Sequence, residues 1–263
     1  MNLRIISIVL FLAASVTLAA QTEGKLNHTD SQGRKQGRWV STYPDGTIRY
    51  EGFFRDDIPV GELRRYYENG TLWSLLEYSG DGNTVMAAIY YPNGFIASRG
   101  KFVNRKKEGK WLFFSPRIEG YLFNEEEYSE DRRNGLSVKY YPDSTIAEIR
   151  HYADDMRHGE WTMFRESGAL MLRANHSYGI LEGRYEVFFE NGKPEMAGEY
   201  RNNLREGKWF IYGDDGTVRF EIDYFEGTAL NRDLDIYETE YIEEIEAKYR
   251  GKIADPETSG EIW

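Results

Sequence analysis

The residues with the chemistry to act as ligands or catalysts are few and scattered. The four histidines are His28, His151, His158 and His176. His151 and His158 stand seven apart around Asp154 and Asp155. They lack the H-E-x-x-H spacing that aims two imidazoles at one metal, so they read as surface turn residues. Gly80-Asp-Gly-Asn83 begins like a calcium loop. It lacks both the alternating Asp ligands and the closing Glu, so it reads as a turn. The 44 acidic residues supply carboxylates everywhere, but spacing alone sets no two of them at the separation that glycoside hydrolysis needs. No G-x-S-x-G, P-loop or G-x-G-x-x-G motif occurs. There is no cysteine, which excludes disulfides, thiol nucleophiles, iron–sulfur clusters, Cys-ligated zinc and a lipidated N-terminal cysteine. No catalytic residue, cofactor site or metal site is therefore assigned. The expectation is a protein that is not an enzyme.

Charge narrows the partners. The formal net charge is −11, and losing Arg4 with the N-terminal segment makes it −12. Arg105-Lys-Lys107 and Arg132-Arg133 are small basic spots in equivalent turns and form no stripe along the sequence. Nucleic acids and anionic membranes draw most of their protein affinity from basic surface, so neither is expected. A protein or an envelope glycan is the expected partner.

What must position any site is a repeat. Glycines at Gly37, Gly61, Gly109, Gly135, Gly159, Gly183 and Gly207 open units 24 residues long, with one step of 26 and with Val85 standing where the third is expected. A fixed period of this size marks a repeat architecture. Each unit is counted here from its leading glycine as zero. Position +2 is Trp39, Leu63, Ala87, Trp111, Ser137, Trp161, Tyr185 and Trp209. Position +5 is aromatic in seven units of eight: Tyr66, Tyr90, Phe114, Tyr140, Phe164, Phe188 and Tyr212. Position +17 is aromatic or histidine throughout, from Phe54 and Tyr78 to His176, Tyr200 and Tyr224. Asp-Gly or Asn-Gly at +8 and +9, as in Asn69-Gly70 and Asp215-Gly216, suits a hairpin reversal through φ > 0. The flanking runs are rich in Tyr, Phe, Trp and Ile and suit strands. The expected fold is all-β: an elongated antiparallel meander of eight hairpins over 37–228, about 70 Å or more along the stacking direction.

Positions +2 and +5 differ by three and face opposite sides of a regular strand. Either both faces carry rings, or a bulge near the leading glycine brings the two rows together. The +5 rings are the candidate ligand-facing aromatics, since rigid rings bury much area at low entropic cost. Packing between units is the alternative for the same rings. His176 replaces the usual ring at +17 and is expected to pack there.

The units resemble MORN repeats. Tyr50-Glu-Gly-Phe-Phe54, Arg99-Gly-Lys-Phe102 with Glu108-Gly-Lys-Trp111, and Gly198-Glu-Tyr200 with Glu206-Gly-Lys-Trp209 carry the likeness best. The Gly-x-Trp version with Asp/Asn-Gly is similar to the bacterial variant found in YwqK-family antitoxin-type proteins. The resemblance implies a hairpin array without a shared catalytic motif. This chain departs from the pattern at Val85 and Ala87, and again at a two-residue insertion around Ser115–Glu119. Function is expected where the rule breaks, around Gly80–Ala88 and Ser115–Gly120, or on whichever ring row stays uncovered.

The ends complete the organisation. Residues 1–20 have a positive start at Arg4, an apolar run from Ile5 to Val16 and small residues at Ala19 and Ala20, the order of an export signal. The expected location is therefore periplasmic or secreted. Residues 21–36 read as a flexible lead-in. Residues 229–250 carry Leu234, Tyr237, Tyr241, Ile245 and Tyr249 at helical spacing among glutamates, an amphipathic helix expected to cap the last strand; 251–263 is a tail. The leading functional expectation is an exported, non-enzymatic scaffold that binds a protein or glycan. The alternatives are an antitoxin-like inhibitor of a partner protein and a hydrolase built from acidic turn residues.

Overall fold

The structure, a computed structural model, describes residues 25–80, 82–230 and 236–249. The expected export segment, the start of the cap and the tail lie outside the described residues. Among the described residues, nineteen strands form one antiparallel sheet with a single helix, Ile236–Tyr249. Each long strand pairs with the long strands before and after it, from Lys35–Thr42 with Ile48–Arg55 to Leu204–Tyr212 with Val218–Phe225. The architecture is the expected hairpin meander.

Bulges settle how the two ring rows relate. At Gly61 the register jumps from Gly52↔Leu63 to Phe53↔Val60, with Gly61 at φ +69°. The same jump occurs at Gly109 and Gly207. An L-residue with a Cβ resists that φ, which is why glycine recurs there. A second register shift falls between +4 and +5, as at Arg65/Tyr66, but its extra residue lies in the facing strand, so +2 and +4 share one face while +3 and +5 share the other. Both faces therefore carry aromatics.

Val85 shows the same rule from its exception. Pairing from Tyr78↔Val85 to Ser74↔Ile89 has no jump. The residues saved from the bulge sit instead in a wider loop closed by Ser79 N–H donating to Thr84 O at 2.9 Å. The pairing of +15 with +2 survives as Leu76↔Ala87, so later units keep their register. The insertion at Ser115 is absorbed in the same way. Ser115 Oγ accepts the Arg117 and Ile118 N–H groups, and Phe114↔Leu122 pairing resumes beyond it.

The turns reverse one expectation. The Asp-Gly and Asn-Gly reversals have positive φ only at glycine, as at Gly70 (+82°). Their Asn or Asp instead accepts a backbone N–H two residues on, as Asn69 Oδ1 does from Thr71 at 2.9 Å, the side-chain turn these residues favour. Paired positive φ values occur in the turns between units, at Asp56-Asp57, Asn104-Arg105, Asp154-Asp155 and Asn202-Asn203. Those are the turns whose twist matches two-residue hairpins.

One further correction concerns the N-terminal end. Residues 21–36 are not all a loose lead-in: His28–Thr29 pairs with Lys35 and Gln36, and Asp30 accepts two backbone N–H groups and the Arg34 guanidinium. The helix covers the last long strand as expected, and does so from one face of the sheet: Phe220 meets Tyr241 at 6.3 Å. Ile242 and Ile245 are buried in one cluster with Val187, Trp209, Ile211 and Ile222. The final edge is paired by Thr228–Ala229. Two-residue strands thus blunt both ends of the sheet.

Candidate functional site: the ring face

The face bearing +2, +4, +13, +15 and +17 is the ring face. Its packing depends on small residues at +15. A Cβ on Gly100 would lie 2.3 Å from the Trp111 ring, and one on Gly198 would lie 2.2 Å from Trp209. Glycine opposite tryptophan lets the indole lie flat on the backbone, where Trp111 and Trp209 are almost fully buried. Neighbouring units then interlock edge-to-face, as in Phe102–Trp111 at 4.8 Å and Tyr200–Trp209 at 5.2 Å. Such pairs add about 0.5–1.5 kcal/mol each beyond burial.

A second row threads these rings. Two residues before each leading position stand Lys35, Pro59, Asn83, Lys107, Arg133, Arg157, Leu181 and Arg205. Lys35 Nζ lies 4.9–5.2 Å from the centroids of Trp39, Tyr50 and Phe54. Lys107 lies 4.5 Å from Tyr128, Arg133 4.4 Å from Tyr152 and Arg205 5.5 Å from Trp209. Aromatic faces hold cations in this geometry. Dispersed in sequence, these cations are gathered by the 24-residue period onto one face of an acidic protein. Their field reaches His176, whose imidazole is buried 5.6 Å from Trp161. Burial, with Arg157 and Arg150 nearby, pulls its pKa down to about 4.

The ring face has two contrasting ends. At the C-terminal end the helix fills it, with Phe220 and Tyr241 in edge contact at 6.3 Å. At the N-terminal end a groove is open. Its two continuous concavities, about 500 and 760 Å³, share Pro59 and Arg65. The groove exists because units two and three have lost bulk. At the groove Leu63 replaces tryptophan, and Pro59 and Asn83 replace the threaded cation. Phe54, Tyr78 and Phe102 form its apolar walls. Lys35, Arg49, Arg65 and Arg105 line it, against one carboxylate, Asp57, among the described residues.

The opposite face carries the +5 rings and a row of ion pairs, including Arg38–Glu51 at 3.4 Å and Lys110–Glu125 at 2.7 Å. Tyr66 donates to Glu51 at 2.9 Å, Tyr140 bonds Glu125 and Phe114 lies under Arg99. Of the seven candidate ligand-facing rings, Phe114 and Phe188 are buried and so present no face to a ligand. Tyr66, Tyr90, Tyr140, Phe164 and Tyr212 are half-buried, and Tyr66 also lines the groove beside Leu63 and Arg65. The ion-pair row breaks at Leu75, Met86 and Ala88, which leave a shallow apolar patch beside Tyr90.

A structural row at +6 escaped the sequence reading. Tyr43, Tyr67, Tyr91 and Tyr141 each donate a hydroxyl hydrogen bond to the +5 carbonyl of the next unit at 2.8–3.1 Å. Tyr121 does the same past the insertion. Burial raises the phenol pKa of Tyr67, Tyr91, Tyr121 and Tyr141, keeping the donors protonated. The signal was present as Tyr recurring immediately after +5.

The histidine pair does not converge. His151 Nδ1 contacts Glu160 O at 2.9 Å, while His158 stacks on Tyr178 at 4.3 Å. Of the two sequence irregularities, Gly80–Ala88 borders the groove through Gly82, Asn83 and Val85, whereas Ser115–Gly120 forms a self-bonded loop.

A protein of this kind is a hairpin-repeat array in one antiparallel sheet. The profile of the family described as MORN repeat variant matches residues 59–79 and 181–202, so those two segments are MORN-variant repeats. The first match spans Pro59 to Tyr78 on the groove. No curated protein matches the chain significantly. MORN repeats are generally non-catalytic and mediate protein or membrane interactions.

Proposed function

We propose that this protein is a non-enzymatic scaffold that binds a partner protein in the open half of the ring face. The observation that carries this reading is the contrast along that face. A helix occupies it beside Trp209, and an apolar, ring-walled groove of matching character stands open beside Leu63. Exposed apolar concavities with rigid rings are where interfaces concentrate their binding energy. The N-terminal segment, read as an export signal, places the partner in the envelope or outside the cell. N-terminal sequencing of the mature protein tests that part; an intact Met1 sinks it.

The binding reading is tested by in-cell cross-linking of the wild type, of Leu63→Glu in the groove and of Met86→Glu on the opposite face. A stoichiometric partner lost with Leu63→Glu and kept with Met86→Glu supports it. A partner insensitive to Leu63→Glu, or no partner together with turnover of a glycan or ester panel, overturns it.

A further inference from the structure

We infer that the occupant of the open groove is an acidic amphipathic helix supplied by the partner protein. This inference rests on the binding reading above and names its ligand. The template is within the chain. The same face, built by the same repeat positions, already receives one helix, through Ile242 and Ile245 at a spacing of three and Tyr241 beside them. That helix is acidic, with Glu240, Glu243 and Glu244 among its exposed or flanking residues. A face that accepts aliphatic side chains at i and i+3 accepts helices as a class.

The open half differs from the covered half in two ways, and both select the guest. Leu63 stands at the groove where Trp111 and Trp209 fill the face elsewhere, so depth is available for aliphatic or aromatic side chains of the guest. Arg49, Arg65 and Arg105 are exposed at the groove, and among the described residues that line it Asp57 is the carboxylate that opposes them. A basic groove on a protein of net charge −11 attracts an acidic helix locally, and the arginines bind carboxylates in charge-assisted pairs. A basic helix would meet like charge there.

The test uses a fluorescein-labelled synthetic peptide of residues 230–250 as the acidic helix, titrated with the full chain and followed by anisotropy. Saturable binding is expected. It should weaken about tenfold in the Arg65→Glu/Arg105→Glu double variant, weaken with added salt and persist in Met86→Glu. Arg65 and Arg105 are exposed, and thermal melts of the double variant confirm that it folds. Three results overturn the inference. One is no saturable binding. Another is equal binding to the double variant, which would mean exchange with the chain's own helix. The third is binding of phosphatidylserine vesicles in place of the peptide. Sedimentation of the unlabelled chain adds a fourth: a dimer dissolved by the double variant assigns the groove to a second copy. If cross-linking to a partner depends on Leu63 while the peptide does not bind, the scaffold reading stands and the helix inference alone falls.

Discussion

Trp209 and Leu63 hold the same place in their repeats, two residues after the leading glycine, yet their surroundings differ. Trp209 is fully buried among Tyr185, Tyr200, Ile222 and Tyr224, beneath the helix that contributes Ile242 and Ile245. Leu63 is also buried, but at the floor of a groove whose walls are half-exposed rings. The large cluster gathers the C-terminal half of the ring face. A small one, Ala87, Trp111 and Tyr128, serves the middle. One backbone rule thus yields a filled end and an open end. What separates them is bulk at +2 and the presence of a helix, not a change of fold. In repeat arrays stability is a sum of units and their interfaces, so one end can be tuned for binding while another anchors the sheet.

The sharpest way to break the comparison is to empty the filled end. Trp209→Ala is expected to cost about 3–5 kcal/mol, read as a fall in denaturant midpoint. Trp73→Ala, at a site 41% exposed, should cost far less. Equal losses would show that the two ends are not energetically distinct.

Truncation after Gly227 removes Ile242 and Ile245 and is expected to cost about 3 kcal/mol and to promote self-association. A truncated chain that stays monomeric and equally stable would remove the capping role of the helix.

Acid tests the cationic field on the ring face. The His176 pKa is lowered from 6.5 to about 4 in the fold. The unfolded chain therefore binds the proton first as pH falls. Stability contributed by neutral His176 is present above about pH 6.5 and is lost progressively toward pH 4, by up to about 3 kcal/mol. In His176→Phe, melting temperature should lose that component of its pH dependence. An unchanged pH profile would show that His176 is not held neutral.

A smaller effect separates glycines by role. Gly198→Ala drives a methyl into the Trp209 ring and should cost about 1–3 kcal/mol. Gly80→Ala, with nothing within 4 Å of the added carbon, should fall within about 0.5 kcal/mol. Melting curves of the two variants decide it.

Much of the fold was legible because it is periodic. The 24-residue spacing, the aromatic strands and the glycine positions determined a hairpin meander, and the opposition of +2 and +5 followed from a two-residue strand period. The choice between a bulge that merged the rings and one that left them on separate faces was not legible, since it depends on where the register jumps. The site was legible only as an irregularity. Gly80–Ala88 was expected to matter, and it does border the groove. Of the +5 rings Tyr66 lines the groove, and the other open walls include Phe54, Tyr78 and Phe102 at +17. The Tyr row at +6 and the threaded cations went unseen, because their partners lie a repeat away or across strands.

The sequence by itself determined the unit: which residues turn, which pair and which alternate, all interactions of neighbours along one chain. Only the tertiary structure decided which face is filled, where it stays open and what charge it presents. Those properties arise when side chains 24 residues apart, each unremarkable alone, are stacked into rows and a helix from the far end of the described chain covers one part of them.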